Sequence, residues 1–250
     1  MYTELHAHSN FSFLDGASST RSLVERAVSL GMDALAITDH DGLYSACIFS
    51  KTAREAGIRP IIGAELTLEE DHHLTFLVEN ARGYANLSQL ITRAQLAGSK
   101  GKPVLSEAEL PGRTEGLICL SGCAKGKISR LLLKGERRAA YDAAKRYAAL
   151  FGKNNFYVEI EGHLLPEDRH LCLQLVDLAD VLGLETVVTN NVHYATRAEH
   201  ILHDVLTCIR HRVPLDRSAP FRRLNSEFYL KGEKEVMELP WLPREAIVRT

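Results

Sequence analysis

Short apolar runs of strand length recur along this sequence, most of them followed by an amphipathic stretch of helical period, and several end abruptly in a carboxylate, an amide or an imidazole. Such alternation points to an α/β architecture, in which helices connect and cover the strands of one sheet. Tyr2 to His6 reads as a first strand. Ser18 and Ser19 then offer N-caps to a helix stopping near Gly31, with Leu23, Ala27, Val28 and Leu30 as its apolar stripe. Further strands are expected at Ala34 to Thr38, Ile58 to Leu68, His73 to Val78, Leu117 to Leu120, Phe156 to Ile160 and Thr186 to Thr189. Helices are expected at Leu43 to Ala56, Tyr84 to Leu96, Arg137 to Phe151 and Pro166 to Leu182. Units of this kind packed into residues 1–216 favour a closed or nearly closed β/α barrel over an open sheet. From Arg217 the texture shifts to prolines, paired arginines and a charged stretch, so 217–250 is expected to be a connecting segment.

The chain has 250 residues, 45% hydrophobic and 25% charged, which is globular composition and excludes a disordered or fibrous chain. Its five cysteines, Cys47, Cys119, Cys123, Cys172 and Cys208, are odd in number and contain no C-x-x-C pair. That argues against a secreted disulfide framework and for a reducing cytoplasm. The N-terminus lacks a signal-peptide pattern, and no apolar run reaches the roughly 18 residues of a membrane span, so neither export nor anchoring is expected. A net charge of −2 supplies no global attraction to nucleic acid, which leaves only local binding of polyanions. The 11 histidines are the anomaly in this composition, and several stand at strand ends.

In His6-Ala7-His8 the two imidazoles project to one side of an extended chain and can share a metal. Ala36-Ile-Thr-Asp-His40, Ile61-Ile-Gly-Ala-Glu65 and Val187-Val-Thr-Asn-Asn-Val-His193 each run from an apolar strand into ligand-type side chains. Barrel enzymes present their catalytic groups at that position. No P-loop, G-x-S-x-G elbow, dinucleotide-binding glycine fingerprint or zinc-finger spacing is present.

His6-x-His8, Ile37-Thr-Asp-His40, Gly63-x-Glu65 and Asn191-x-His193 resemble, in order and spacing, the motifs of the PHP (polymerase and histidinol phosphatase) metallohydrolases. The resemblance is closest to the PHP domain of bacterial C-family DNA polymerases. It is carried by Glu4-Leu-His-Ala-His-Ser-Asn-Phe-Ser-Phe-Leu-Asp-Gly16, Tyr84-x-Asn86-Leu, Leu120-Ser-Gly-Cys-x-Lys-Gly126, His193-Tyr194 and Asp204-Val-Leu-Thr-Cys-Ile209, and it spans nearly the whole chain. It implies a distorted (β/α)7 barrel, TIM-like, with two to three divalent metals at the C-terminal ends of the strands. The implied ligands are His6, His8, Asp15, His40, Glu65, His73, Cys123, Asn191 and His193. Imidazoles and a thiolate suit zinc or iron, and carboxylates also suit manganese. Only one of His72 and His73 can face the site on an extended segment, and the match selects His73. Asn191 stands where the family usually has aspartate, so one metal is expected to be held more weakly. Asn190 cannot replace it, because a one-residue shift points to the other face.

The activity implied is metal-dependent phosphoester hydrolysis, in which clustered ions neutralise phosphate oxygens and activate water. No separate protein base is nominated, and Asp39 is expected to orient a histidine ligand from behind. Lys125, Lys127 and His163 are candidates for substrate contact, with Arg130 beside them. For the polymerase branch the partners implied are a DNA 3′ end, attacked as a 3′–5′ exonuclease, and a polymerase core whose catalytic acids this chain lacks. Two alternatives share the motifs: a histidinol-phosphatase-type enzyme, and a metal-stabilised scaffold whose catalysis Asn191 has impaired.

Overall fold

The computed structural model describes residues 2–250, in which six strands form one curled sheet in sequential order. In chain order the elements are α1 (Thr20–Ser29), β1 (Ala34–Ile37), α2 (Ala46–Glu55), β2 (Arg59–Thr67), β3 (His73–Val78), α3 (Ala81–Ala97) and β4 (Leu117–Leu120). They continue with α4 (Lys127–Leu133), α5 (Arg137–Phe151), β5 (Phe156–Glu161), α6 (Asp168–Leu182), β6 (Glu185–Thr189), α7 (His200–His211), α8 (Glu233–Met237) and α9 (Arg244–Val248). Ser19 caps α1 as its sequence suggests, accepting a hydrogen bond from Ser22 N.

The expected first strand is not a regular one. Residues 4–8 form isolated bridges instead, and they span the gap between the two sheet edges. Ala36 N and Thr38 N donate to Glu4 O and Ala7 O on one side, while His8 N donates to Val192 O and Val192 N to His6 O on the other. This segment supplies the seventh stave of the distorted TIM-like barrel. The distortion itself lies at β3, which runs antiparallel to both β2 and β4, whereas β1–β2, β4–β5 and β5–β6 are parallel. Only residues 68–72 separate β2 from β3, too few for a crossover helix, so the chain turns back on itself. His73, the first residue of its strand, therefore sits on the rim where the parallel strands end.

Alternation along the strands divides the barrel interior into two layers. Ala36, Leu77, Leu120 and Val187, with Ile61 and Tyr157 packed against them, form an apolar layer. One or two inward positions further toward the rim come Glu65, His73, Glu159 and Asn191. Outside the sheet, Leu23, Phe49, Leu66, Leu87, Tyr147 and Phe156 are fully buried between strands and helices. At about 1.5–3 kcal/mol for each large side chain, this outer layer contributes the main favourable term in folding.

The residues after Arg217 pack back on the barrel. His193 N donates to Phe228 O and Leu230 N to Tyr194 O, which lays this segment along the chain beyond β6. Leu230, Ala246 and Ile247 join the main core. The stretches that form α4 and α7 carry no helix in the sequence reading.

Candidate metal centre

The rim of the barrel is organised around one carboxylate. Glu65 ends the inward series of β2, and Gly63 before it allows the close approach of β3, since a Cβ there would lie 2.4 Å from Phe76 O. Glu65 Oε2 is 3.2 Å from His8 Nε2, 3.1 Å from His40 Nδ1 and 3.5 Å from His6 Nε2, while Oε1 is 2.6 Å from His73 Nδ1. Burial alone would raise the Glu65 carboxyl, but the adjacent His73, His40 and His6 outweigh it and hold it well below the usual carboxylate range. His40 is opposed by burial yet pushed up to about 10 by Glu65 and Asp15. His8, buried and stacked between His40 and His193 at 4.2 and 4.7 Å, is pushed down to about 4 by burial and by the His40 charge.

A second set of contacts fixes these ligand-type groups. His6 Nδ1 is 2.7 Å from Glu159 Oε1, which leaves its Nε2 facing His8 Nε2 at 3.2 Å. Glu159 is held in turn by the Thr189 hydroxyl at 2.6 Å. Asp15 lies 2.8 Å from His40 Nε2 and 3.9 Å from His193 Nδ1, and Arg210 of α7 contacts its other oxygen at 3.0 Å. Cys123 Sγ stands 3.5 Å from Glu65 Oε1. It is brought there by Gly122, whose positive φ of 86° and closeness to His73 O leave no room for a side chain. Burial and then the Glu65 charge push this thiol well above its usual range, so a thiolate here requires a cation beside it.

Sequence reasoning missed Glu159, Glu161 and His203. The first two alternate at the end of β5 in Glu159-Ile-Glu161, the same i, i+2 pattern as His6-x-His8, and both approach His6. His203 comes from α7, a helix the sequence reading did not place. It lies 3.8 Å from Asp15, with neither ring nitrogen hydrogen-bonded.

The remaining candidates separate. His163 is buried rather than on an exposed loop, with Nε2 2.8 Å from Asn190 O and its ring stacked on Phe228. It shares a cavity of about 240 Å³ with Lys125 and the metal-type residues. Lys127 and Arg130 are held elsewhere, by Glu107 at 2.6 Å and Asp71 at 3.2 Å. Asp39 touches no histidine. It accepts hydrogen bonds from Ser9, Ser12 and Ser45, and only Ser12 Oγ reaches on to His8 Nδ1, at 3.3 Å. Asn191 adopts a φ of 42°, and its Oδ1 is buried without a partner.

These residues fit divalent cations on two independent grounds. Ligand atoms of His6–His8–Glu65, His40–Glu65–His73, Asp15–His193–His203 and His6–Glu159–Glu161 each lie within 4.8 Å of one another. In addition, Glu159 Oε2, Glu161 Oε1, Asn191 Oδ1 and His193 Nδ1 are buried without hydrogen bonds from the protein, which leaves them free to bind water or an ion.

Comparison with known proteins agrees with this geometry. The chain is 45% identical over 253 residues to the error-prone DNA polymerase of Symbiobacterium thermophilum and 40% identical over 254 residues to the DNA polymerase III subunit alpha of Treponema pallidum. In both cases 95% of this chain is covered, but it spans only 23% and 22% of those relatives. A candidate metal-dependent phosphoesterase from Bifidobacterium adolescentis shares the fold, with a TM-score of 0.54 at 18% identity over 76% of this chain and 87% of the other. An amidohydrolase from Chromobacterium violaceum does so with a TM-score of 0.53, over 77% of this chain and 88% of its own. A family profile described as PHP domain matches residues 4–163, the stretch that carries Glu65 and the four histidines around it, and the chain belongs to the PHP domain family.

Proposed function

We propose that this chain is the PHP region of a bacterial C-family DNA polymerase and that it hydrolyses phosphoesters, with the 3′-terminal phosphodiester of DNA as substrate. The observation that carries the reading is the single buried carboxylate of Glu65 set among His6, His8, His40 and His73. Glu65 with these histidines, Asp15, Cys123, Asn191 and His193 would hold two to three ions, zinc, manganese or iron by the mixture of donors. When bound, such ions neutralise phosphate oxygens and lower the pKa of water at neutral pH.

The chain's own residues supply the setting. Glu159 fixes the orientation of His6, Ser12 contacts the back of His8, and Arg210 tethers Asp15 to α7. The cavity pairs this polar floor with an apolar side formed by Leu165, Leu171, Leu175 and Phe228, which suits a substrate with a charged phosphate and a less polar nucleoside. Identity to bacterial polymerases over nearly the whole chain favours nucleic acid over a small phosphomonoester, together with a polymerase core as partner and a cytoplasmic setting.

The test is hydrolysis of 3′-labelled single-stranded DNA by Mn²⁺-loaded protein, with His8→Ala prepared identically to control for contaminating nuclease. Stepwise 3′ loss by the native chain alone is expected. Inertness of both proteins, with metal retained by the native one, would move the reading to a metal-stabilised scaffold. Rapid turnover of histidinol phosphate with no action on DNA would move it to the phosphatase branch.

A further inference from the structure

The segment after α7 brings two consecutive arginines to the rim of the barrel, and they have different surroundings. Arg222 forms an ion pair with Asp204 of α7 at 2.9 Å. Arg223 has no anionic partner among the described residues. Its guanidinium lies 3.7 Å from the centroid of the Phe228 ring, and its Nε is buried without a hydrogen bond. Most other cations of this neighbourhood are engaged, Arg210 with Asp15, Arg130 with Asp71, Lys127 with Glu107 and Lys231 with Glu227, while Lys125 lines the cavity from an exposed position without an ion pair among the described residues. Arg223 lines the same cavity as Glu65, His40 and His193.

The surroundings of Arg223 present a ready-made anion receptor. Phe228 supports the flat guanidinium and is itself stacked on His163 at 3.8 Å and 14°, so the plane is fixed from behind. Asp15 and Glu161 act on Arg223 electrostatically, yet neither makes an ion pair with it. Arg223 is only partly exposed, and its buried Nε has no acceptor to offset the loss of water, a cost that a bound anion repays. Its planar fork matches two oxygens of a phosphate, which an ammonium cannot do.

We propose that Arg223 is a substrate-binding residue whose guanidinium takes the non-reacting oxygens of the phosphoryl group of a phosphate ester held at the metal centre. The assignment rests on the phosphoesterase reading above. It gives the segment after Arg217 a direct part in recognising substrate, beyond that of a connection.

The test uses the 250-residue chain loaded with Mn²⁺, as native protein and as R223Q and R223K. Inorganic phosphate binding is measured by calorimetry, hydrolysis with p-nitrophenyl thymidine 5′-phosphate, and metal content and melting temperature on every sample. The expected result is phosphate affinity weaker by about tenfold or more in R223Q, with KM raised, metal content and melting temperature unchanged, and only partial recovery in R223K. Equal phosphate affinity of native protein and R223Q would overturn the role of Arg223 while leaving the phosphoesterase reading intact. Loss of metal by R223Q would also overturn it, assigning the arginine to charge balance within the site. A native protein that retains metal but binds no phosphate would overturn the phosphoesterase reading, and this inference with it.

Discussion

Two asparagines one residue apart, Asn190 and Asn191, lie in contrasting environments. Asn190 donates to Glu227 O and Tyr229 O and accepts from Lys231 Nζ, and its backbone N–H donates to the buried Glu4 carboxylate. Its side chain stitches the segment after Arg217 to the barrel. Asn191 faces the opposite side, toward the metal-type residues, from a left-handed backbone conformation with its Oδ1 unpartnered. A polar side chain that satisfies its hydrogen bonds within the protein holds the protein together, and one left unsatisfied in a crowded polar pocket is placed for something else.

The sharpest way to break this contrast is to damage the unsatisfied side. His8→Ala removes the imidazole stacked between His40 and His193 and one of the four contacts on Glu65. Metal affinity is expected to fall by about a hundredfold or more, and the melting temperature of the loaded protein with it; unchanged metal content would remove His8 from the site. Asn190→Ala should act on the other side, costing about 2–4 kcal/mol because it leaves the carbonyls of Glu227 and Tyr229 without their donor and takes one acceptor from Lys231, which keeps Glu227. Urea unfolding measures that cost, and the contrast predicts unaltered metal content in the folded protein. Asn191→Asp preserves a side chain that tolerates positive φ and supplies an anion, so metal affinity should rise several-fold while metal-free stability shifts by no more than about 1 kcal/mol. Calorimetric titration with Mn²⁺ checks it. The smallest effect is expected from Ser12→Ala, which severs the path from Asp39 to His8 and should cost about 1 kcal/mol in denaturant, with a modest drop in metal affinity.

Much of the fold was legible because apolar runs of strand length and stretches of helical period are local signals. His73 to Val78, Leu117 to Leu120 and Arg137 to Phe151 coincide with the observed β3, β4 and α5. The antiparallel run of β3 was not legible from periodicity, since strand direction is set by pairing partners and by the short 68–72 connection. At the site, His6, His8, His40 and His73 stand around Glu65, while His193 lies beside Asp15 and His8. Glu159 and Glu161 escaped notice although their alternation was visible, because acids near the end of a strand also suit an exposed edge. His203 and Arg223 could not be read at all, for they reach the rim from α7 and from the returning segment, and only tertiary packing brings them there.

The central claim is that Glu65 anchors a cluster of divalent ions. Elemental analysis of the native chain and Glu65→Gln, each loaded with Mn²⁺ or Zn²⁺ and desalted, tests it most directly. The account predicts roughly two to three ions per native chain, and loss of most of them when the central negative charge is removed. A native chain that retains no ion, or a Glu65→Gln protein that retains as many as the native, would contradict it.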